Sequence, residues 1–154
     1  MTYDDVLEAI AGRIVELWPD RMLYRNYCPV DFKRPSGFLY VQEAEYTDAG
    51  IGIVRWNVQA ELKLYTATNE YSVESTEQLR ADQAAVLGAF GGPALPVGDR
   101  HITVSATADA PGLGEAYVIF TASWFDGRPG YEDPETAQTP KMQEYELNIS
   151  NREG

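Results

Sequence analysis

A run of strict alternation between apolar and polar residues lies at the centre of the chain, from Ile53 to Tyr65. Its apolar positions are Val54, Trp56, Val58, Ala60, Leu62 and Leu64, and its polar positions are Arg55, Asn57, Gln59, Glu61 and Lys63. Because successive side chains of a strand point to opposite faces, this period of two predicts a long strand with one apolar and one polar face. Such a strand is typical of an antiparallel sheet that is covered on one side only.

Two segments with helical periodicity are available to cover that sheet. After Thr2, a capping residue, apolar side chains recur at intervals of three and four until Pro19, which predicts a helix over residues 3–18. A second apolar stripe begins after Ser72 or Ser75, either of which suits a helix cap, and it ends at a Gly-Gly-Pro sequence. The chain therefore has two amphipathic helices, one on each side of the central strand in sequence.

Shorter stretches rich in β-branched and aromatic residues predict further strands. They lie at residues 21–27, 38–46, 100–109, 116–125 and 141–149. The strand at 38–46 and the long strand should form a hairpin with a loop of about six residues at Thr47–Gly52. The strands at 100–109 and 116–125 predict a second hairpin, and a polar loop at 126–140 precedes the last strand.

Antiparallel hairpins and two helices predict an α+β fold with two layers. We expect a mostly antiparallel sheet of four to six strands, with both helices packed on one face. A length of 154 residues fits a single domain over residues 1–154. The other face of the sheet must then meet solvent or another subunit.

The charge balance narrows the classes of partner. The chain has 24 acidic and 12 basic residues and a net charge of −12, which disfavours a conventional nucleic-acid binder because such a surface repels phosphates. No apolar stretch approaches the roughly 18 residues of a membrane span. The opening sequence MTYDD does not resemble a secretory signal, and the single cysteine, Cys28, indicates a reduced thiol without an internal disulfide.

Residues that could perform catalysis are few. The only histidine, His101, lies in an alternating stretch and is expected to be structural or solvated. Cys28 could act as a nucleophile only if His101 came close to it. The acidic residues of the 126–140 loop do not have the spacing of a calcium-binding loop. We therefore predict no catalytic residue, no metal and no cofactor, and a small hydrolase that uses the acidic loop is the weakest hypothesis.

Aromatic residues with a polar tip are plentiful. The chain has ten tyrosines and three tryptophans, many of them in the predicted strands or at their ends. Such side chains suit surfaces that are half apolar and half wet, and they are enriched at interfaces. Several of them can also serve to cap the core, but their number agrees with a protein that buries its second sheet face against copies of itself.

Segments spread over nearly the whole length share a pattern with one protein family. They are Trp18-Pro19-Asp20, Tyr24, Pro35–Tyr40, Leu62-Lys63-Leu64-Tyr65, Leu79–Phe90 and Lys141–Ile149. In order and spacing these segments resemble the tail-terminator, or tail-completion, proteins of long-tailed phages and prophages. The likeness is strongest to small members often described as minor capsid or neck-to-tail joining proteins.

The resemblance implies a structural virion protein. Members of that family form a ring, usually of six subunits, that caps the tail tube and joins it to the head or neck while DNA passes through without specific binding. The implied partners are other copies of the chain, a tail tube protein and head-completion or neck proteins, with no membrane. The implied location is the virion tail or neck, and the host cytoplasm before assembly.

Candidate interface residues lie at the hairpin tip, on the polar side of the long strand and near the end of the sequence. They are Asp48, Ile51, Arg55, Asn57, Gln59, Glu61, Tyr131, Met142 and Tyr145. A ring needs an interface that closes on itself, and a half-exposed sheet can provide one by edge pairing or face packing. The alternative hypothesis is a monomeric α+β module that binds a small molecule or a protein on the sheet face.

Overall fold

A computed structural model describes residues 1–67, 76–112 and 114–130. Within these residues the elements are α1 (Tyr3–Leu17), β1 (Met22–Arg25), β2 (Ser36–Gly50), β3 (Ile53–Tyr65), α2 (Thr76–Ala89), β4 (Leu95–Val97), β5 (Arg100–Ile102), β6 (Val104–Ala108) and β7 (Glu115–Gly127). The predicted helix caps Ser72 and Ser75, the strand predicted at 141–149 and most of the loop predicted at 126–140 lie outside the described residues.

The described strands form a main sheet of five strands in the order β1-β2-β3-β7-β6 and a second sheet in which β4 pairs with β5. Neighbouring strands of the main sheet are antiparallel, except β1 and β2, which are parallel. The predicted α+β fold with a mostly antiparallel sheet of four to six strands is therefore confirmed.

Both helices pack on the same face of the main sheet. Helix α1 begins with a capping box, in which the Asp5 amide donates to the Thr2 hydroxyl and the Thr2 amide donates to the Asp5 carboxylate at 2.8 Å. Its stripe of Val6, Ile10 and Ile14 is buried in one core with the apolar residues of α2, β3 and β7. Burial of this stripe, more than intrinsic helix propensity, holds the helix in place.

The alternating residues of β3 point to the two sides of the sheet as the sequence predicts. On the helix-covered side of β3, Val54, Val58, Ala60, Leu62 and Leu64 are all buried, with exposed fractions of 0% to 4%. Trp56, also on that side, is half-buried, and its ring stacks on Trp124 of β7 at 6.0 Å between centroids. Apart from Val54, these side chains belong to or pack against the core that both helices share.

The first hairpin is tighter than the sequence predicts. Strand β2 continues to Gly50, which pairs with Ile53, so the connection contains two residues instead of about six. Gly52 adopts a φ of 72°, which glycine tolerates at little cost in such a turn. The Arg128 amide donates to the Gly52 carbonyl at 2.8 Å, and the Arg128 side chain pairs with Asp48. The pairing of β2 with β3 therefore continues through Thr47 to Gly50, which the sequence predicts to be part of the loop.

The second hairpin also differs from the prediction. The segment 100–109 is broken at Thr103, and only β6 pairs with β7. Strand β5 instead pairs with β4, which the sequence analysis did not identify, and this pairing buries Leu95, Val97 and Ile102 in the core. The alternation continues across the break, so periodicity alone could not reveal that the two halves belong to different sheets.

Polar side chains attach α2 to its surroundings. Asp82 is 3% exposed and forms a salt bridge with Arg21 at 3.0 Å. The Gln83 amide donates to the carbonyls of Asp109 and Tyr117 at 2.7 and 2.9 Å. These buried bonds satisfy polar groups that would otherwise be costly, and they tie the helix to the β6–β7 hairpin.

We expect Trp56→Asp to lower the free energy of unfolding by at least about 3 kcal/mol, because it removes an aromatic contact and places a carboxylate beside the core. Gln59→Asp introduces the same side chain on the other face of β3 and should cost at most about 1.5 kcal/mol, from repulsion by its neighbour Glu43 and loss of its hydrogen bond to Gln42. Urea unfolding followed by circular dichroism measures both. Equal midpoints for the two variants would contradict the facing of β3.

Candidate assembly surface

The face of the main sheet that points away from the helices carries four of the six predicted interface residues that the structure describes. Arg55, Asn57, Gln59, Glu61 and Lys63 of β3 lie on it in sequence order, and their neighbours on β2 and β7 share the same face. We call this surface the open face. The polar side of the alternation therefore brings four predicted residues, Arg55, Asn57, Gln59 and Glu61, into one row.

Glu61 is the most buried residue of the polar row on β3. It is only 9% exposed, although the sequence places it on the polar side of β3. The Tyr40 hydroxyl and the Gln42 amide each donate to one of its carboxylate oxygens at 2.5 Å, and the Gln59 amide donates to the Gln42 oxygen at 2.9 Å. Gln42 lies at the β-bulge between Val41 and Glu43, so this network holds the bulge in place.

Aromatic side chains surround Lys63 next to this network. Its ammonium group lies 5.9 Å from the ring centres of both Tyr40 and Tyr117, within the range of cation–π attraction. Burial and the hydrogen bond to Glu61 raise the pKa of Tyr40, and burial followed by a hydrogen bond to Glu115 raises the pKa of Tyr117. Both hydroxyls therefore stay protonated as hydrogen-bond donors over the physiological pH range.

One end of the open face is covered by the loop between β1 and β2. The Phe32 ring lies 4.2 Å from the ring of Tyr65, and the Arg34 guanidinium lies over Phe32 at 4.8 Å. Burial is the main cause that raises the pKa of Tyr65 to about 12, and the neighbouring Cys28 adds to it. The end of the face near β1 is thus closed by the chain's own loop, whereas the half toward the hairpin tip is not covered by this loop.

A shallow depression of about 150 Å³ lies in that half. It is lined by Glu43, Glu45, Asn57, Val58, Gln59 and Thr121. Its polar side chains are carboxylates on β2, amides on β3 and the hydroxyl of Thr121 on β7. Within the described residues no group of three or more histidine, cysteine, aspartate or glutamate side chains is arranged to hold a metal ion.

The hairpin end of the open face is apolar. Ile51, Ile53 and Phe125 are 88%, 48% and 57% exposed, and we call these three residues the tip patch. Beside it, Arg55 donates to the Ser123 hydroxyl at 3.3 Å and lies 6.0 Å from the Phe125 ring. Exposed apolar side chains that are grouped at one end of a sheet are typical of a contact surface.

The structure separates the predicted residues into three groups. Asp48 and Ile51 lie at the hairpin, the row from Arg55 to Glu61 lies on the open face, and Tyr131, Met142 and Tyr145 lie outside the described residues. Ile53 and Phe125 also belong to the tip but are absent from the predicted set, although Ile53 lies on the same face of β3 as Arg55. Tyr40 and Gln42 are absent as well, since partners of a buried carboxylate on another strand leave no signal in sequence spacing.

Cys28 and His101 lie in different parts of the fold. Cys28 lies in the loop beside Tyr65, and His101 is exposed on β5 in the second sheet. The described residues also contain no helix long and apolar enough to span a membrane. Neither a scan against models of known protein families nor a search of curated proteins gives a match to this sequence.

We expect the protein to lose stability above about pH 10. Tyrosine in the unfolded chain loses its proton near its ordinary pKa of 10.0, whereas folded Tyr65 keeps its proton to about pH 12. Between these values the folded state binds more protons than the unfolded state, so the free energy of unfolding falls as the pH rises. Below pH 10 both states are protonated, and Tyr65 causes no loss of stability. Urea midpoints measured across this range should fall, and Tyr65→Phe should flatten the slope. A slope that Tyr65→Phe leaves unchanged would contradict the assignment.

Proposed function

We propose that this protein is a structural subunit that assembles with copies of itself into a ring resembling those of phage tail terminators. In this role it caps a tail tube, joins it to head-completion or neck proteins, and operates in the virion tail or neck after synthesis in the host cytoplasm. The observation that supports the proposal most is the open face with its apolar tip patch. Among the described residues, no helix covers this face, and its half toward the hairpin tip is a surface of paired strands.

The hairpin half of the open face does not have the volume of a small-ligand pocket. Its depression of about 150 Å³ is smaller than the roughly 300 to 1,000 Å³ of ordinary ligand pockets, whereas a hollow of about 610 Å³ lies elsewhere and is lined by Tyr3 and Asp4 of α1 together with Tyr40 and Lys63 of the sheet. The hydrogen bonds around Glu61 hold the side chains of β2 and β3 in one arrangement.

The charge of the chain supports a channel through which DNA passes without adhering. The net charge is −12, and Glu43 and Glu45 line the depression of the open face. An acidic channel wall repels phosphates and keeps DNA surrounded by water and counterions. We therefore assign the open face to the channel side of the ring and the helices to its outer side.

The tip patch suits the contact with the next component of the tail. Ile51 lies at the end of a hairpin whose strands are held by pairing on both sides of β3. A side chain on such a rigid projection can enter a pocket on another protein with little loss of freedom. A tail tube protein or a neck protein is the partner we propose for it.

Ring formation should be visible as a rise in mass with protein concentration. Static light scattering should show growth from the 17.2 kDa protomer toward about six times that mass, and electron microscopy should show particles with a central channel. Because the subunits are strongly acidic, added salt should shift assembly to lower protein concentration. A strict monomer at every protein and salt concentration would contradict the proposal and favour the monomeric binding module.

A further inference from the structure

The main sheet ends in two strand edges that no strand of the described residues covers. On one side, β1 pairs only with Ser36–Leu39 of β2, so the edge of β2 is unpaired from Val41 to Gly50 among the described strands. On the other side, β6 pairs with β7 and forms the opposite edge. Unpaired edges present backbone donors and acceptors that can add a strand from another chain.

We propose that β6 of one subunit pairs antiparallel with residues 44–48 of β2 in the next subunit, so that the main sheet runs continuously around the ring. The inference depends on the self-assembly proposed above, and it adds which strands meet. Strands β2 and β7 run in the same direction, and β6 runs opposite to both. Two subunits placed side by side in the same orientation therefore bring β6 against β2 as an antiparallel pair.

The charges on β2 disfavour a symmetric interface in which the β2 edges of two subunits pair with each other. The free edge of β2 carries Glu43, Glu45 and Asp48, and antiparallel pairing of two such edges would place carboxylates close together. Strand β6 has the sequence VSATA and carries no charge. The acidic residues thus oppose β2–β2 contacts, while β6 remains an acceptable neighbour. An interface between two different edges is heterologous, which is the kind that produces rings.

The lengths and facing of the two strands select one register. Irregularities at Val41/Glu43 and Asp48/Gly50 bound the regular part of the free edge to Glu43–Asp48. Residues directly opposite each other must share a face of the sheet, and a slip by one residue would exchange the faces. The only alignment that satisfies both conditions for all five residues of β6 pairs Ala44 with Ala108, Glu45 with Thr107, Tyr46 with Ala106, Thr47 with Ser105, and Asp48 with Val104.

The side chains are compatible with this register on both faces. On the helix side, Tyr46 is 45% exposed and packs edge-on against Trp56 at 5.1 Å. The small Ala106 opposite it leaves room for the tyrosine ring. On the open face, Glu45 lies beside the neutral Thr107. The contact therefore covers an exposed aromatic residue without bringing two charges together.

The geometry of the register also allows a closed ring. Within one subunit Ala108 lies level with Leu62 of β3, whereas Ala44 lies level with Val58. Adjacent subunits are therefore displaced along the strand direction by four residues, from Val58 to Leu62, or roughly 13 Å. Across the strands, each subunit contributes β2, β3, β7 and β6, which together span roughly 19 Å. These lengths imply a strand tilt of roughly 35°, a value typical of closed barrels.

Disulfide trapping tests the proposed pairs directly. In a Cys28→Ser background, Glu45→Cys combined with Thr107→Cys should give a ladder of covalent multimers after mild oxidation, read on a non-reducing denaturing gel. Thr47→Cys with Ser105→Cys should give the same ladder, because both pairs belong to one register. The four single-cysteine variants should stay monomeric on the gel, and Glu45→Cys with Ala106→Cys, whose side chains point to opposite faces, is the matched control.

The outcomes separate this inference from the proposed function. If light scattering shows rings but neither cysteine pair gives a ladder, the edge contact is wrong and the proposed ring stands. If light scattering shows a strict monomer, both the edge contact and the proposed ring are wrong. Covalent dimers from Thr107→Cys or Ser105→Cys alone would show a symmetric β6–β6 contact and would overturn the register. A ladder of equal intensity from the opposite-face control would also overturn it.

Discussion

The fold depends on one constraint, that β3 pairs along both of its edges while the described helices cover only one of its faces. Its partners β2 and β7 follow it over nearly its whole length, so its backbone groups are satisfied on both sides. The residues from Val58 to Leu64 that point to one side are buried under the helices. No helix of the described residues covers the remaining side.

The polar features of the open face follow from that arrangement. A glutamate in the middle of a paired sheet is shielded by its neighbours, and the cost of burying its charge is offset by hydrogen bonds from Tyr40 and Gln42. The same bonds hold the bulge of β2 just beyond the point where β1 ends. Glu61 thereby helps to define where the free edge of β2 begins, although it lies one strand away from that edge.

The proposed assembly connects the face and the edges of the sheet. If the sheet continues from subunit to subunit, the edges supply the contact, the open face lines the channel, and the tip patch remains free at one rim for another protein. The acidic side chains then serve two purposes. They oppose self-pairing of β2, and they keep the channel wall from binding DNA.

The sequence alone determined the elements whose signal is local: the α1 helix with its cap, the facing of β3, and the α+β class. It also placed Arg55, Asn57, Gln59 and Glu61 on one face, because a period of two needs no tertiary information. Only the tertiary structure decided that β2 extends to Gly50, that β5 leaves the main sheet for β4, and that Glu61 is buried. Each of these outcomes depends on contacts between residues far apart in sequence, which composition and periodicity do not record.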